Sequence, residues 1–196
     1  MLYIAAVAFF VLLLIWIGLI YLRKTLWDGV HRNLLDLEDN YDGKIIRNGF
    51  ASRPVFKGRI QGTDVTINFS TARLKSGRRT YIDFTLTISA KVSLTIAEKK
   101  WLLEQNGETH SANTEIIIND DLTYVIMPPD NRKIERLIAK DEFKRSLGKF
   151  ENLAYFFVGK SGTICEFWSD KIDRDTTFDI MKSRLDQIRI LLSILN

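Results

Sequence analysis

The chain has 196 residues, a formal charge of +4 and 46% hydrophobic residues, enough to build one core of ordinary size behind an N-terminal apolar segment. One cysteine and two histidines exclude a disulfide framework and a His/Cys zinc site. No stretch matches H-E-x-x-H, G-x-S-x-G or G-x-G-x-x-G, and the sequence offers no candidate catalytic residue, metal site or cofactor site.

Met1 to Leu22 carries no charged side chain, and fourteen of these residues are Leu, Ile, Val or Phe. A helix of about 20 residues rises about 30 Å, the thickness of a bilayer's hydrocarbon core. A cleaved signal peptide would have a basic start, a shorter apolar run and an A-x-A-like site, and none of these is present. Residues 1–24 therefore read as a transmembrane anchor, flanked by Tyr21, Arg23 and Lys24. With Arg23, Lys24 and Arg32 all following the span, the positive-inside rule places the C-terminal domain in the cytoplasm.

Residues 25–43 read as a juxtamembrane helix and an acidic linker. Leu26, Trp27, Val30, Leu34 and Leu37 keep helical spacing to about Asp39, and "DLEDNYDG" reads as the helix exit. Glu38, Asn40, Asp42 and Gly43 brush against an EF-hand loop, but Gly49 stands where the bidentate Glu belongs.

The α+β domain is expected over 44–196. "VFKGRI" and the run from Val65 alternate apolar and polar residues around the turns Gln61-Gly62-Thr63 and "KSGRR". From Ile82 to Ile96 the alternation is strict, and its length requires a bend near Ala90. Thr95 and Glu98 have capping-box spacing ahead of a short helix "AEKKWLLEQ" that stops at Asn106-Gly107. "EIIIN" and "LTYVIM" are strands joined through Asp120-Asp121. "PPDN" opens a second short helix with Ile134, Leu137 and Ile138, ended by Gly148. "LAYFFVG" and "TICEFW" form a hairpin around Lys160-Ser161. A long last helix carries Phe178, Met181, Leu185, Ile188, Leu192 and Leu195 in one stripe, with Arg184, Asp186, Gln187 and Arg189 on the remainder. The sum is an N-terminal transmembrane helix followed by an antiparallel sheet, two short helices and a long C-terminal helix.

"VGKSG" lacks the first glycine of a phosphate-binding loop, because Ala154 stands there, and it reads as a hairpin turn. Asn68-Phe69-Ser70 is a sequon by pattern, which the cytoplasmic placement makes irrelevant. Cys165 sits in an apolar strand and reads as a small core residue. Asp170, Asp173 and Asp175 read as the solvated start of the last helix.

Charge distribution carries the functional signal. From Lys44 to Lys100 there are twelve Lys or Arg against three Asp or Glu, whereas residues 101–131 carry six acids and no Lys or Arg. Arg53, Lys57, Arg59, Arg73, Lys75, Arg78 and Arg79 form the candidate basic surface, suited to anionic lipid beside the anchor. Nucleic acid is disfavoured: Phe56, Phe69 and Phe84 belong to the apolar face, leaving chiefly Tyr81 for stacking. The expectation is a single-pass accessory or scaffold protein that binds a protein partner or an anionic lipid surface and uses no cofactor. The alternative is a membrane-tethered enzyme or small-ligand carrier with a cavity over the sheet.

Overall fold

The computed structural model describes residues 2–106, 114–119, 122–127 and 132–196, and shows an α+β protein. It begins with one long helix, α1 (Leu2–Asn40), unbroken across Gly29. The helix has two environments. Tyr3 to Leu19, Tyr21 and Leu22 stay exposed, while Trp27, Val30, Leu34 and Leu37 are buried in the domain core. The expected acidic linker is therefore no linker: the helix continues through Asp39 and Asn40, and a strand begins at Asp42. The stripe at i, i+3/i+4 spacing buries its side chains against the sheet, and that packing outweighs the low helix propensity of Gly29.

Nine strands among the described residues form one antiparallel sheet: β1 (Asp42–Ile46), β2 (Val55–Ile60), β3 (Thr63–Leu74), β4 (Gly77–Leu86), β5 (Leu94–Glu98), β6 (Thr114–Asn119), β7 (Leu122–Met127), β8 (Leu153–Gly159) and β9 (Gly162–Ser169). Their order is β1-β2-β3-β4-β9-β8-β5-β7-β6. The first four strands form a meander. Its second turn takes positive φ at both Gln61 (49°) and Gly62 (83°), the backbone that twists with a two-residue hairpin.

The long alternating run breaks between Leu86 and Leu94, near Ala90 as expected, and the reason is topological. The β8–β9 hairpin is inserted between β4 and β5, and the chain from 87 to 93 crosses over its tip. Ala90 N–H donates to the Gly159 carbonyl at 3.2 Å, and Thr163 Oγ1 donates to the Ile88 carbonyl at 2.8 Å. Gly162 sits under this crossover at φ 132°, where a Cβ would lie 2.7 Å from the Leu86 carbonyl oxygen. Only glycine fits there.

The remaining helices are α2 (Lys99–Asn106), α3 (Arg132–Ile138), α4 (Asp141–Leu147), α5 (Ile172–Asp175) and α6 (Phe178–Leu195). The expected second short helix is split at Ala139-Lys140, and its Gly148 end is observed at α4. Thr95 caps nothing: it lies within β5, opposite Met127 and Phe157, and the helix starts only at Lys99. Gly107, Asp120-Asp121 and "PPDN" lie outside the described residues.

The second half of α1, α4 and α6 pack on one sheet face, with Phe56, Ile67, Phe84, Ile96, Phe156 and Phe167 beneath them. Met181, Leu185, Ile188, Leu192 and Leu195 are buried as expected for the last helix, and Leu191 joins them. The opposite face is covered at one end by α2, whose Leu102 packs with Ala97 and Val125.

Candidate functional site

Strand direction fixes which end of the domain faces the exposed half of α1. β1 turns back at Tyr41, and just beyond it Arg47 Nη1 reaches Asp28 Oδ1 at 2.5 Å, twelve residues up the helix from Asn40. β3 runs the same way as β1, because each is antiparallel to β2. Phe69 of β3 stands level with Trp27, their ring centroids 5.6 Å apart. From there the β3–β4 hairpin continues five residues to Leu74, about 16 Å at strand rise, in the direction of the exposed apolar helix. Its tip, Lys75 and Ser76, therefore projects at the end of the domain from which the exposed apolar helix extends.

The residues expected to flank an anchor fall on α1 in this zone. Tyr21 and Arg23 are exposed, and Lys24 pairs with Asp28 while lying 5.1 Å over the Phe50 ring. Two cations hold the Asp28 carboxyl below its usual range, first through the Lys24 hydrogen bond and then through Arg47. Phe50 itself is 65% exposed, an apolar ring on the loop beside the cations that sequence periodicity could not single out.

The seven candidate cations do not form one surface. Arg53, Arg73 and Arg78 lie together, on the sheet face along which α1 runs. Arg53 is half-buried over the Trp27 ring at 5.6 Å and donates to the Phe69 carbonyl (2.7 Å) and Thr71 Oγ1 (2.5 Å). Burial lowers its pKa, with Arg23 and Arg78 adding like-charge repulsion. Arg73 and Arg78 are exposed and directly opposite one another across β3 and β4. Like charges so placed are destabilising, and no ion pair joins either arginine to an acid among the described residues. Exposed Lys75 sits at the tip.

The others are elsewhere. Arg79 faces the other side of the sheet, 3.5 Å from Glu104 and 5.0 Å over Trp168. Lys57 and Arg59 lie farther along β2, away from the tip, and Arg59 pairs with Asp64 at 3.0 Å.

The uncovered part of the opposite face carries a second polar feature, invisible until the strands are in register. Asp83 and Glu166 are direct neighbours across β4 and β9, and both are half-buried. Burial, and then the Asp83 charge, raises Glu166 to about 7, while burial raises Asp83 against a Ser70 hydrogen bond and Arg53. Beside them Tyr81 is buried and its hydroxyl accepts from Trp101 Nε1 at 3.2 Å, so it offers no open ring for stacking.

Two further expectations change. Asp175 is buried, not solvated; it accepts from Ser169 Oγ (2.8 Å) and Arg174 Nε (3.0 Å) and ends α5, leaving Thr177 to precede α6 without a side-chain cap. Arg184, expected on the outer face of the last helix, is buried over the Phe167 ring. Cys165 lies in the core, and burial raises its thiol well above the usual value.

Tyr3–Asn40 is the helix long and apolar enough to cross a membrane; its most apolar window has mean hydropathy 2.8 and none of it is buried in the protein. No family model and no curated protein matches the chain. Among solved structures, the crystal structure of the mycobacterial trehalose monomycolate transport factor A aligns over 83% of this chain and 96% of its own, at 12% identity and a TM-score of 0.47.

Proposed function

We propose that the chain is a single-pass membrane protein whose first 24 residues anchor an accessory domain to the bilayer. The anchor and the domain share one helix, so the domain is held at a fixed height and tilt instead of swinging on a linker. Arg23, Arg53, Arg73, Lys75 and Arg78 then meet anionic headgroups, with Phe50 at the interface. The domain lies on the cytoplasmic side, where anionic lipid attracts cations at about 1 kcal/mol each within a Debye length. An orientation fixed in this way suits a module that presents its outer strands and helices to a protein partner.

The observation that carries this reading is the unpaired Arg73–Arg78 couple beside the apolar helix. A folded protein that holds like charges face to face is relieved by an anion from outside. The test is vesicle binding by residues 23–196. Binding should require anionic lipid and weaken as salt rises. Arg73→Gln with Arg78→Gln should reduce it by about 2 kcal/mol, roughly thirtyfold. Lys57→Gln with Arg59→Gln, away from the tip, should leave it nearly unchanged. Equal binding to neutral vesicles, or equal losses from both pairs, overturns the reading. For sidedness, a C-terminal reporter that matures only in the cytoplasm should be active, and an active external phosphatase fusion would reverse it.

A further inference from the structure

A groove of about 390 Å³ lies between α5, the N-terminal half of α6 and the turn before β8, within the size range of small-molecule sites. Arg184 lines it from below. This side chain is 6% exposed and rests 4.8 Å over the Phe167 ring. Its one hydrogen bond among the described residues runs from Nη1 to the Asp175 carbonyl at 3.1 Å. Among the described residues no carboxylate lies within ion-pair distance of it: Asp175, held by Ser169 and Arg174, and Glu151 act on it only from farther off.

A guanidinium has five donors, and a buried charge is ordinarily paired. Among the described residues Nε and Nη2 have no hydrogen-bond partner, and the side chain lines the groove. With Nη1 turned to the carbonyl, Nε and Nη2 form the opposite edge, the flat two-donor fork that fits a carboxylate or phosphate. Packing alone does not require this group, since a methionine would cover Phe167 with no charge to desolvate. Lys149 and Arg174 supply two more cations in the lining, while Glu151, Asp175 and Asp179 add three acids. The net charge of these six is near zero, which suits a monoanion or a zwitterion over a polyanion.

We propose that this groove binds a small molecule through one carboxylate or phosphate group seated on the Nε–Nη2 edge of Arg184. The site is separate from the anchor-end cations and would give the protein a soluble or headgroup ligand of its own.

The test uses the full chain in neutral-lipid nanodiscs, with the Arg184 Nε–H resonance followed by NMR. The probes are acetate, inorganic phosphate and monomeric dihexanoyl phosphatidylethanolamine, each against chloride at matched ionic strength. At least one probe should give a saturable shift. Acetate or phosphate alone points to a free small anion; the phospholipid alone, or at tenfold lower concentration, points to a headgroup. Arg184→Lys should weaken binding at least tenfold. Ser183→Trp, at an exposed lining position, should abolish it while leaving Arg184 and the fold in place, which keeps the test valid if the lysine variant is unstable. No saturable shift with any probe, or the same shift in Ser183→Trp, overturns the proposal.

Discussion

Removing α1 in two steps separates its two halves. A chain starting at residue 23 loses none of the described buried core, whereas a chain starting at 41 also loses Trp27, Val30, Leu34 and Leu37. Val30, Leu34 and Leu37 are each 0% exposed, and burying three such side chains contributes about 5 to 9 kcal/mol gross. A domain of this size is stable by about 5 to 15 kcal/mol in total. The residue-23 chain should therefore unfold cooperatively in urea, by far-UV circular dichroism and tryptophan fluorescence together. The residue-41 chain should show no cooperative transition, or a midpoint near zero denaturant. Within the longer chain, Leu34→Ala should cost about 2 to 5 kcal/mol. Equal midpoints and slopes for the two truncations would refute the claim that the helix bearing the exposed apolar run is also a core helix.

Leu185→Ala, at a site 2% exposed under α6, should cost about 2 to 5 kcal/mol at any protein concentration; a midpoint that moves with concentration would mean the stripe is a dimer interface. Glu166 titrates near 7 in the fold against 4.5 when unfolded, so its neutral form is favoured by folding. That contribution is full below about pH 4.5 and is lost as pH rises through about 7; Glu166→Gln should flatten the decline and, at pH 8, stabilise by about 1 to 2 kcal/mol after allowance for partial exposure. Arg73→Gln should raise stability by about 0.2 to 1 kcal/mol in solution by removing cross-strand repulsion, even as it weakens anionic vesicle binding; a loss of stability would place Arg73 in a structural role.

What the sequence made legible was local. Strict alternation and turn chemistry located the β2–β3, β3–β4 and β8–β9 hairpins, because a two-residue turn and a half-buried face leave few other solutions. The stripe Trp27, Val30, Leu34 and Leu37 was readable as helical, but its partner was not: only the sheet shows that it is buried in the core. The insertion of β8–β9 between β4 and β5 was equally out of reach, since strand order depends on contacts between residues more than seventy positions apart. Thr95 and Glu98 matched a local capping pattern that pairing on both edges of β5 overrode. The basic surface was visible as composition, but its division between the hairpin end, β2 and the α2-covered face required strand register. Arg184 was hidden because a charged residue on an amphipathic helix reads as solvent-facing, and only the Phe167 ring and the Asp175 carbonyl explain its burial.

In the proposed placement the exposed half of α1 spans the bilayer and the β3–β4 tip rests among the headgroups. Spin labels at Leu14, Ser76 and Lys160, each placed singly in a Cys165→Ser background and reconstituted in anionic bilayers, test it through their accessibility to oxygen and to a water-soluble nickel complex. Leu14 should be open to oxygen and shielded from nickel, Ser76 should fall at the interface, and Lys160, on the far hairpin turn, should be fully open to nickel. A Ser76 label as exposed to nickel as Lys160, or a Leu14 label open to nickel, would contradict it.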